Sequence, residues 1–216
     1  MYRRDSILLS AAVGIVGVTF GVLAETSGLT MAQAIAMSAF VFTGTSQFAA
    51  VIVIASGGTE IAAVISGLVL ALRNAFYGPS VASLFRPSLA AKLSSAHFVI
   101  DETTAMATAQ TSPENARRAF WTTAAWLYAL WNLGTAVGVI AGRVIANPDA
   151  WGLDAAFPAA FVALIIPHLQ TTQGRLAALG GAVISIGIFP FTSPGIPVLA
   201  SVAGVAVGAI WIKVHQ

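Results

Sequence analysis

The chain has 216 residues, of which 57% are hydrophobic and only 8% charged, where a soluble domain carries about 25% charged. So few charges cannot cover a water-facing surface, and a mean hydropathy of +0.87 makes lipid the main solvent. A formal net charge of +2 from scattered Lys and Arg offers no face for nucleic acid, and the lack of cysteine excludes disulfides and thiolate metal sites.

Taken in order, Arg3, Arg4 and Asp5 precede an uncharged run from Ser6 to Ala24. A basic start before an apolar run suits a cleaved signal peptide, but the run exceeds the usual h-region of ~7–15 residues. It is read as the first span. Thr30 followed by Gln33 has capping-box spacing and opens a second span, Met31 to Ala55. A third covers Glu60 to Leu84. The stretch from Arg86 to Arg118 is the charge-rich one. Inside it, HFVIDETTAMATAQ could lie at the interface, insert partway or cross the membrane. Ser112-Pro113-Glu114 reads as N-cap, N1 proline and first-turn acid, leading into a fourth span, Ala119 to Gly142. Asn147-Pro148-Asp149 is a turn and Ala155 to His168 a fifth span. The uncharged run from Leu176 to Ile212 holds two more if Pro190 to Pro197 is their turn.

Segments of the chain recur. GVTFGVLA (Gly17 to Ala24) matches GTAVGVIA (Gly134 to Ala141) at four of eight positions. FAAVIV from Phe48 resembles FVALII from Phe161, and IAAVISG from Ile61 resembles LAALGGA from Leu176, at offsets of 117, 113 and 115 residues. Nearly constant spacing favours duplication over chance likeness among Gly/Ala/Val-rich helices. The expected fold is therefore an all-α integral membrane protein, a polytopic bundle of seven transmembrane helices, or eight if the Asp101 segment crosses. It forms one transmembrane domain over residues 1–216, built from two repeats, about 7–112 and 113–213, with broken helices near the midplane. Lys and Arg divide six inside to three outside for seven spans with the N-terminus outside, and again for eight with it inside. Charge bias therefore leaves the orientation open.

The polar residues inside these spans carry the functional reading. Thr43-Gly44-Thr45-Ser46-Gln47 interrupts the second span, and a broken helix offers free backbone amides and a positive N-terminal dipole to a carboxylate. Gly44, Ser46 and Gln47 are candidate substrate contacts, although Gly and Ser also suit close helix packing. Arg73 sits mid-span, where an arginine costs about 2.5–3.5 kcal/mol even on the lenient insertion scale and must face a cavity or partner. Its fork of donors suits a substrate carboxylate or an internal acid such as Asp101 or Glu102. Asn74 adjoins it, Tyr77 lies one turn on along the same face, and Gly78-Pro79 should end or kink the helix. Asp101 and Glu102 are the candidates for proton coupling, the other acids reading as loop or terminal residues. His168 and the tryptophans read as interface, belt or packing residues.

TGTSQF (Thr43 to Phe48), RNAFYGPS (Arg73 to Ser80) and IDE (Ile100 to Glu102) together resemble the AzlC-type branched-chain amino-acid exporters, over about Gly14 to Ile166. The chain departs from that pattern in Thr43, Thr45, Asn74 and Ile100. The resemblance implies export of branched-chain and other hydrophobic amino acids from the bacterial cytoplasm across the inner membrane. It also implies a small hydrophobic AzlD-type partner subunit, for which the glycine face Gly134, Gly138 and Gly142 offers close helix contact. Proton coupling is expected separately, because the chain offers no nucleotide site and Asp101 and Glu102 can carry a proton. No cofactor or metal is expected. An enzyme is disfavoured because Ser46 in GTSQF fails the G-x-S-x-G pattern. A permease subunit needing an ATPase partner, or a channel for a small anion or zwitterion, is the alternative.

Overall fold

The computed structural model describes residues 2–85, 88–144, 162, 165–192 and 196–206, with helices and turns and no strand among them. They fall into two compact units, Met1–Phe48 with Leu68–Ala146, and Ala49–Gly67 with Asn147–Gln216. Among the described residues, four helical stretches are long and apolar enough to cross a membrane: Tyr2–Thr26, Glu60–Leu84, Pro113–Val144 and Thr172–Phe191.

The first unit is assembled on α1 (Tyr2–Thr26) and α7 (Pro113–Val144). They run parallel: the Ser6 and Thr123 hydroxyls bond at 2.9 Å near one end, and Glu25 accepts from Arg143 at 3.0 Å near the other. Between these points glycine removes every obstacle. A Cβ on Gly134 would strike the Gly14 carbonyl, and one on Gly138 would strike Val18 O, with Gly21 Cα 2.9 Å away. This is small-residue packing, in which missing side chains let backbones touch. The matching segments at Gly17 and Gly134 therefore lie against each other. The expectation that Gly134, Gly138 and Gly142 face a partner subunit is corrected here, because α1 already covers them.

Around this pair the chain makes two helical hairpins. α2 (Met31–Phe40) starts at the expected capping box, with Thr30 N–H bonded to Gln33 Oε1 at 2.8 Å and Gln33 N–H to Thr30 Oγ1 at 3.3 Å. It runs against α7, where Ser38 bonds Thr135 at 2.9 Å. After Phe40 the helix stops, and α3 (Thr45–Ala55) begins after four intervening residues. The Gln47 side chain reaches Met37 O at 2.9 Å, whereas ten residues of continuous helix would separate those positions by about 15 Å. The chain has doubled back. The expected break is present, but the single second span is replaced by two helices of 10 and 11 residues, each about 15–17 Å long and about half the hydrocarbon core.

α4 (Glu60–Val81) runs two residues past Pro79 before tightening into a 3-10 turn at Ala82–Leu84. Its C-terminal end lies against the early part of α7, where Phe85 packs edge-on against Phe120 at 4.8 Å and Trp121 at 6.1 Å. α5 (Leu89–Ala96), capped by Ser88, and α6 (Asp101–Thr108) are the arms of the second hairpin, with His97–Ile100 as its tip. At eight residues α6 is about 12 Å long, too short to cross a bilayer by itself. Four residues link α6 to α7, whose start carries the expected Ser112 cap and Pro113. Tyr77, Leu84 and Trp121 pack on a core of Val81, Val99, Ala107 and Phe120.

In the second unit, α8 (Thr172–Ile188) passes into a 3-10 turn at Phe189–Phe191, and α9 (Ile196–Ser201) follows. Backbone meets backbone again, at Gly181, Ala177 and Gly204. The Asn147-Pro148-Asp149 turn, most of the fifth span, the His168 side chain and the end of the last span lie outside the described residues.

Candidate functional site

The two hairpin tips meet. Phe42, at the tip of the α2/α3 hairpin, stacks on His97 at 6.0 Å and packs edge-on against Phe98 at 6.1 Å and Tyr128 at 5.1 Å. Phe98 also touches Trp121 and Tyr128. This aromatic cluster seals the junction and holds two chain reversals together, and His97's place in it was not foreseen from the sequence.

The first tip is set by Gly44, whose φ of +57° lies in the left-handed region that favours glycine. Trp131 lies beside it, 3% exposed, stacked on Phe20 at 6.0 Å, and so a packing residue rather than a belt residue. Gln47 is fully buried and fastens the reversal: its Oε1 accepts from Gly44 N–H at 3.1 Å and its Nε2 donates to Met37 O at 2.9 Å. Both polar ends of this predicted substrate contact are thus engaged by the hairpin's own backbone. Ser46 is buried beside it, its Oγ unpartnered among the described residues, as are Thr43 Oγ1 and Asn74 Oδ1. Each buried polar atom without a partner costs about 1–3 kcal/mol, a cost also carried at Ser10, Ser66 and Thr104.

Arg73 joins the tips. Its Nη2 donates to Thr45 Oγ1 at 2.8 Å and lies 3.4 Å from Asp101 Oδ1. Thr45 opens α3 and Asp101 opens α6, so one guanidinium bridges the first residues of two half-helices. The acid that partners Arg73 is Asp101, and Glu102 follows it in the first turn of α6. Neither ion is deeply enclosed, with Arg73 31% and Asp101 45% exposed. Among the described residues both bonds come from Nη2, which leaves Nε and Nη1 to spare on a group with five N–H donors. Tyr77, one turn beyond, packs into the core around Phe120.

α6 starts without a side-chain cap. Its N-cap is Ile100, and Thr103 compensates by accepting from Ile100 N–H at 3.2 Å while donating to Phe98 O at 2.6 Å. Asp101 and Glu102 then sit in the first turn, where the helix dipole favours anions. Of the predicted residues, the structure thus brings together Gly44, Gln47, Arg73 and Asp101, with Ser46, Asn74, Tyr77 and Glu102 flanking them. Thr45 was missed as a contact. The available signal was a hydroxyl at the first position of a helix that resumes inside an apolar segment.

A family model described as AzlC protein matches residues 9–145. The chain is 33% identical over 192 residues to an uncharacterized membrane protein of Archaeoglobus fulgidus, covering 88% of this chain and 84% of that one. It is 26% identical over 222 residues to the inner membrane protein YgaZ of Escherichia coli, covering 96% and 86% of the two chains. No solved structure matches.

Proposed function

The chain belongs to the AzlC protein family, and from that premise we propose that it is a secondary transporter exporting branched-chain and other hydrophobic amino acids across the bacterial inner membrane in exchange for protons. The observation that carries this reading is the Arg73 bridge between two hairpin tips. Helices broken at membrane depth are tolerated where protein or a water-filled cavity receives them, and transporters place substrate sites at such breaks.

Arg73 is the carboxylate receptor in this scheme. Its spare Nε and Nη1 offer the two-pronged geometry a carboxylate accepts. A carboxylate bound there competes with Asp101 for the same cation, so Asp101 and Glu102 become free to take a proton as substrate arrives. Exchange then needs no long relay. Gly44, Ser46 and Asn74 line the approach, and Gln47 keeps the first tip in shape. Tyr77 braces Arg73 from the core.

The duplicated reading of the chain accords with the parallel α1/α7 pair, whose equivalent segments pack on one another. A small hydrophobic subunit remains part of the proposal. With the glycine seam occupied, the outward stripe Leu68, Leu72 and Phe76 of α4, each more than 60% exposed, is the surface offered to it.

The test is uptake of labelled leucine into inverted membrane vesicles, with and without a co-expressed small partner. Arg73→Gln should insert at normal abundance and transport nothing. Arg73→Lys should rescue poorly, because a single ammonium cannot copy the fork. Normal transport by Arg73→Gln at equal abundance would remove Arg73 from the site. Ohmic current in place of saturable exchange would make the protein a channel.

A further inference from the structure

The parallel α1/α7 pair has two chemically unlike ends. At the end where both helices begin lie Arg3, Arg4, Arg117 and Arg118, with Asp5 and Glu114 as the only nearby acids of those helices. At the other end the single arginine, Arg143, is matched by Glu25 at 3.0 Å. Because the helices are parallel, the four N-terminal arginines are gathered on one side, a clustering that chain order alone did not reveal and that favours the cytoplasmic side by the positive-inside rule.

They also frame a groove. A cavity of about 640 Å³ opens between the two helix starts, walled by Tyr2 and Trp121 and lined by Arg3, Arg117, Arg118 and Glu114. Arg118 is already held by Glu114 at 2.6 Å. Among the described residues Arg3 and Arg117 have no ion-pair partner, so the groove carries two uncompensated guanidinium groups. Trp121 is fixed from behind by Phe85, Phe98 and Phe120, which makes it a rigid wall. Tyr and Trp are the residues that favour headgroup depth, and guanidinium is the fork that matches phosphate.

We propose that this groove binds the phosphate of an anionic phospholipid headgroup in the cytoplasmic leaflet. Arg3 and Arg117 supply the charge, and Tyr2 and Trp121 flank the glycerol region. The anionic cytoplasmic leaflet supplies such lipids. Because α1 and α7 each contribute one free arginine, a bound headgroup also ties together the starts of the two helices that organise the first unit.

The experiment is native mass spectrometry of the protein released from nanodiscs of phosphatidylcholine with a minor share of phosphatidylglycerol, alongside thermal unfolding in the same discs. One phosphatidylglycerol should be retained per chain and should raise the unfolding temperature. Arg3→Gln with Arg117→Gln should weaken retention roughly 30-fold, from the loss of two charges near the surface. Arg4→Gln, at the same end but outside the groove, should retain the lipid, and millimolar inorganic phosphate should not displace it. Unchanged retention in the double variant overturns the proposal. Equal loss in Arg4→Gln does so too, since the attraction would then be diffuse. Displacement by inorganic phosphate would make this a free-anion site and overturn the lipid assignment. A double variant that no longer elutes as a single species is replaced by Arg117→Gln alone, for which retention should fall about fivefold; unchanged retention there counts against the groove.

Discussion

Two regions of the first unit use the same unusual ingredients, glycine and small polar residues inside apolar helices, to opposite effect. In the α1/α7 seam, glycine removes side chains so that backbones touch; the buried Ser6 and Thr123 hydroxyls satisfy each other, while Ser10 Oγ of α1 is buried without a partner among the described residues. At the hairpin tips, glycine supplies a left-handed backbone that ends one helix and starts another, and several buried polar atoms are left over. One cation with donors to spare holds those tips. Polar content in a membrane helix is therefore not itself the mark of a site. The useful distinction is whether a charged group with unused donors lies among the polar atoms, as Arg73 does at the tips.

Substitutions can separate the two regions. Gly138→Leu should have the largest effect, since its side chain would enter the Val18 carbonyl. Overpacking costs about 1–3 kcal/mol even where neighbours can yield, and backbone cannot. The expected result is loss of the monodisperse peak in detergent chromatography. Gly142→Ala should be far milder, because the neighbour there is the Glu25 side chain at 3.1 Å, which can swing away. Equal tolerance of both would mean the seam is not tightly closed.

Thr45→Val and Asp101→Asn should do the reverse, leaving unfolding temperature nearly unchanged while transport falls by about tenfold or more, the scale of one hydrogen bond to a charged group. Asp101→Asn and Glu102→Gln should also lose dependence on the pH gradient. If both neutral variants keep an unchanged gradient dependence, the proton route lies elsewhere.

Gly44→Ala isolates backbone strain. An added Cβ would meet only Trp131 at an ordinary 3.8 Å, so the expected loss of about 1–2 kcal/mol comes from the left-handed backbone alone. Gly44→Asn should lose less, since Asn tolerates that region. The smallest effect is expected for the Ser6→Ala and Thr123→Val double-mutant cycle, with a coupling of about 1 kcal/mol. A coupling near zero would show that glycine contact alone holds the seam.

Much of this was legible in the sequence because charge and polarity are expensive in hydrocarbon and stand out there. Arg73, Asp101 and the break at Gly44 were visible for that reason, as were the caps at Thr30 and Ser112. The reversal at Gly44 was not. An interruption looks the same in sequence whether the next helix continues or returns, and only the Gln47 to Met37 bond distinguishes them. The partner of the Gly134 face was likewise hidden, since a small-residue face states that a helix will approach closely but not which one. His97 carried no signal because Phe42 and Tyr128 reach it from two distant parts of the chain.

The parallel seam also constrains how the protein is made. α1 is complete at Thr26, but the helix that covers its glycine face ends at Val144. At about 5–20 residues per second of synthesis, on the order of ten seconds separates the two. Throughout that interval α1 stands in the membrane with backbone grooves open to any passing helix. The nascent chain must either leave that groove to lipid or lend it temporarily to another segment, and a mispairing made then has to dissolve before the first unit can close.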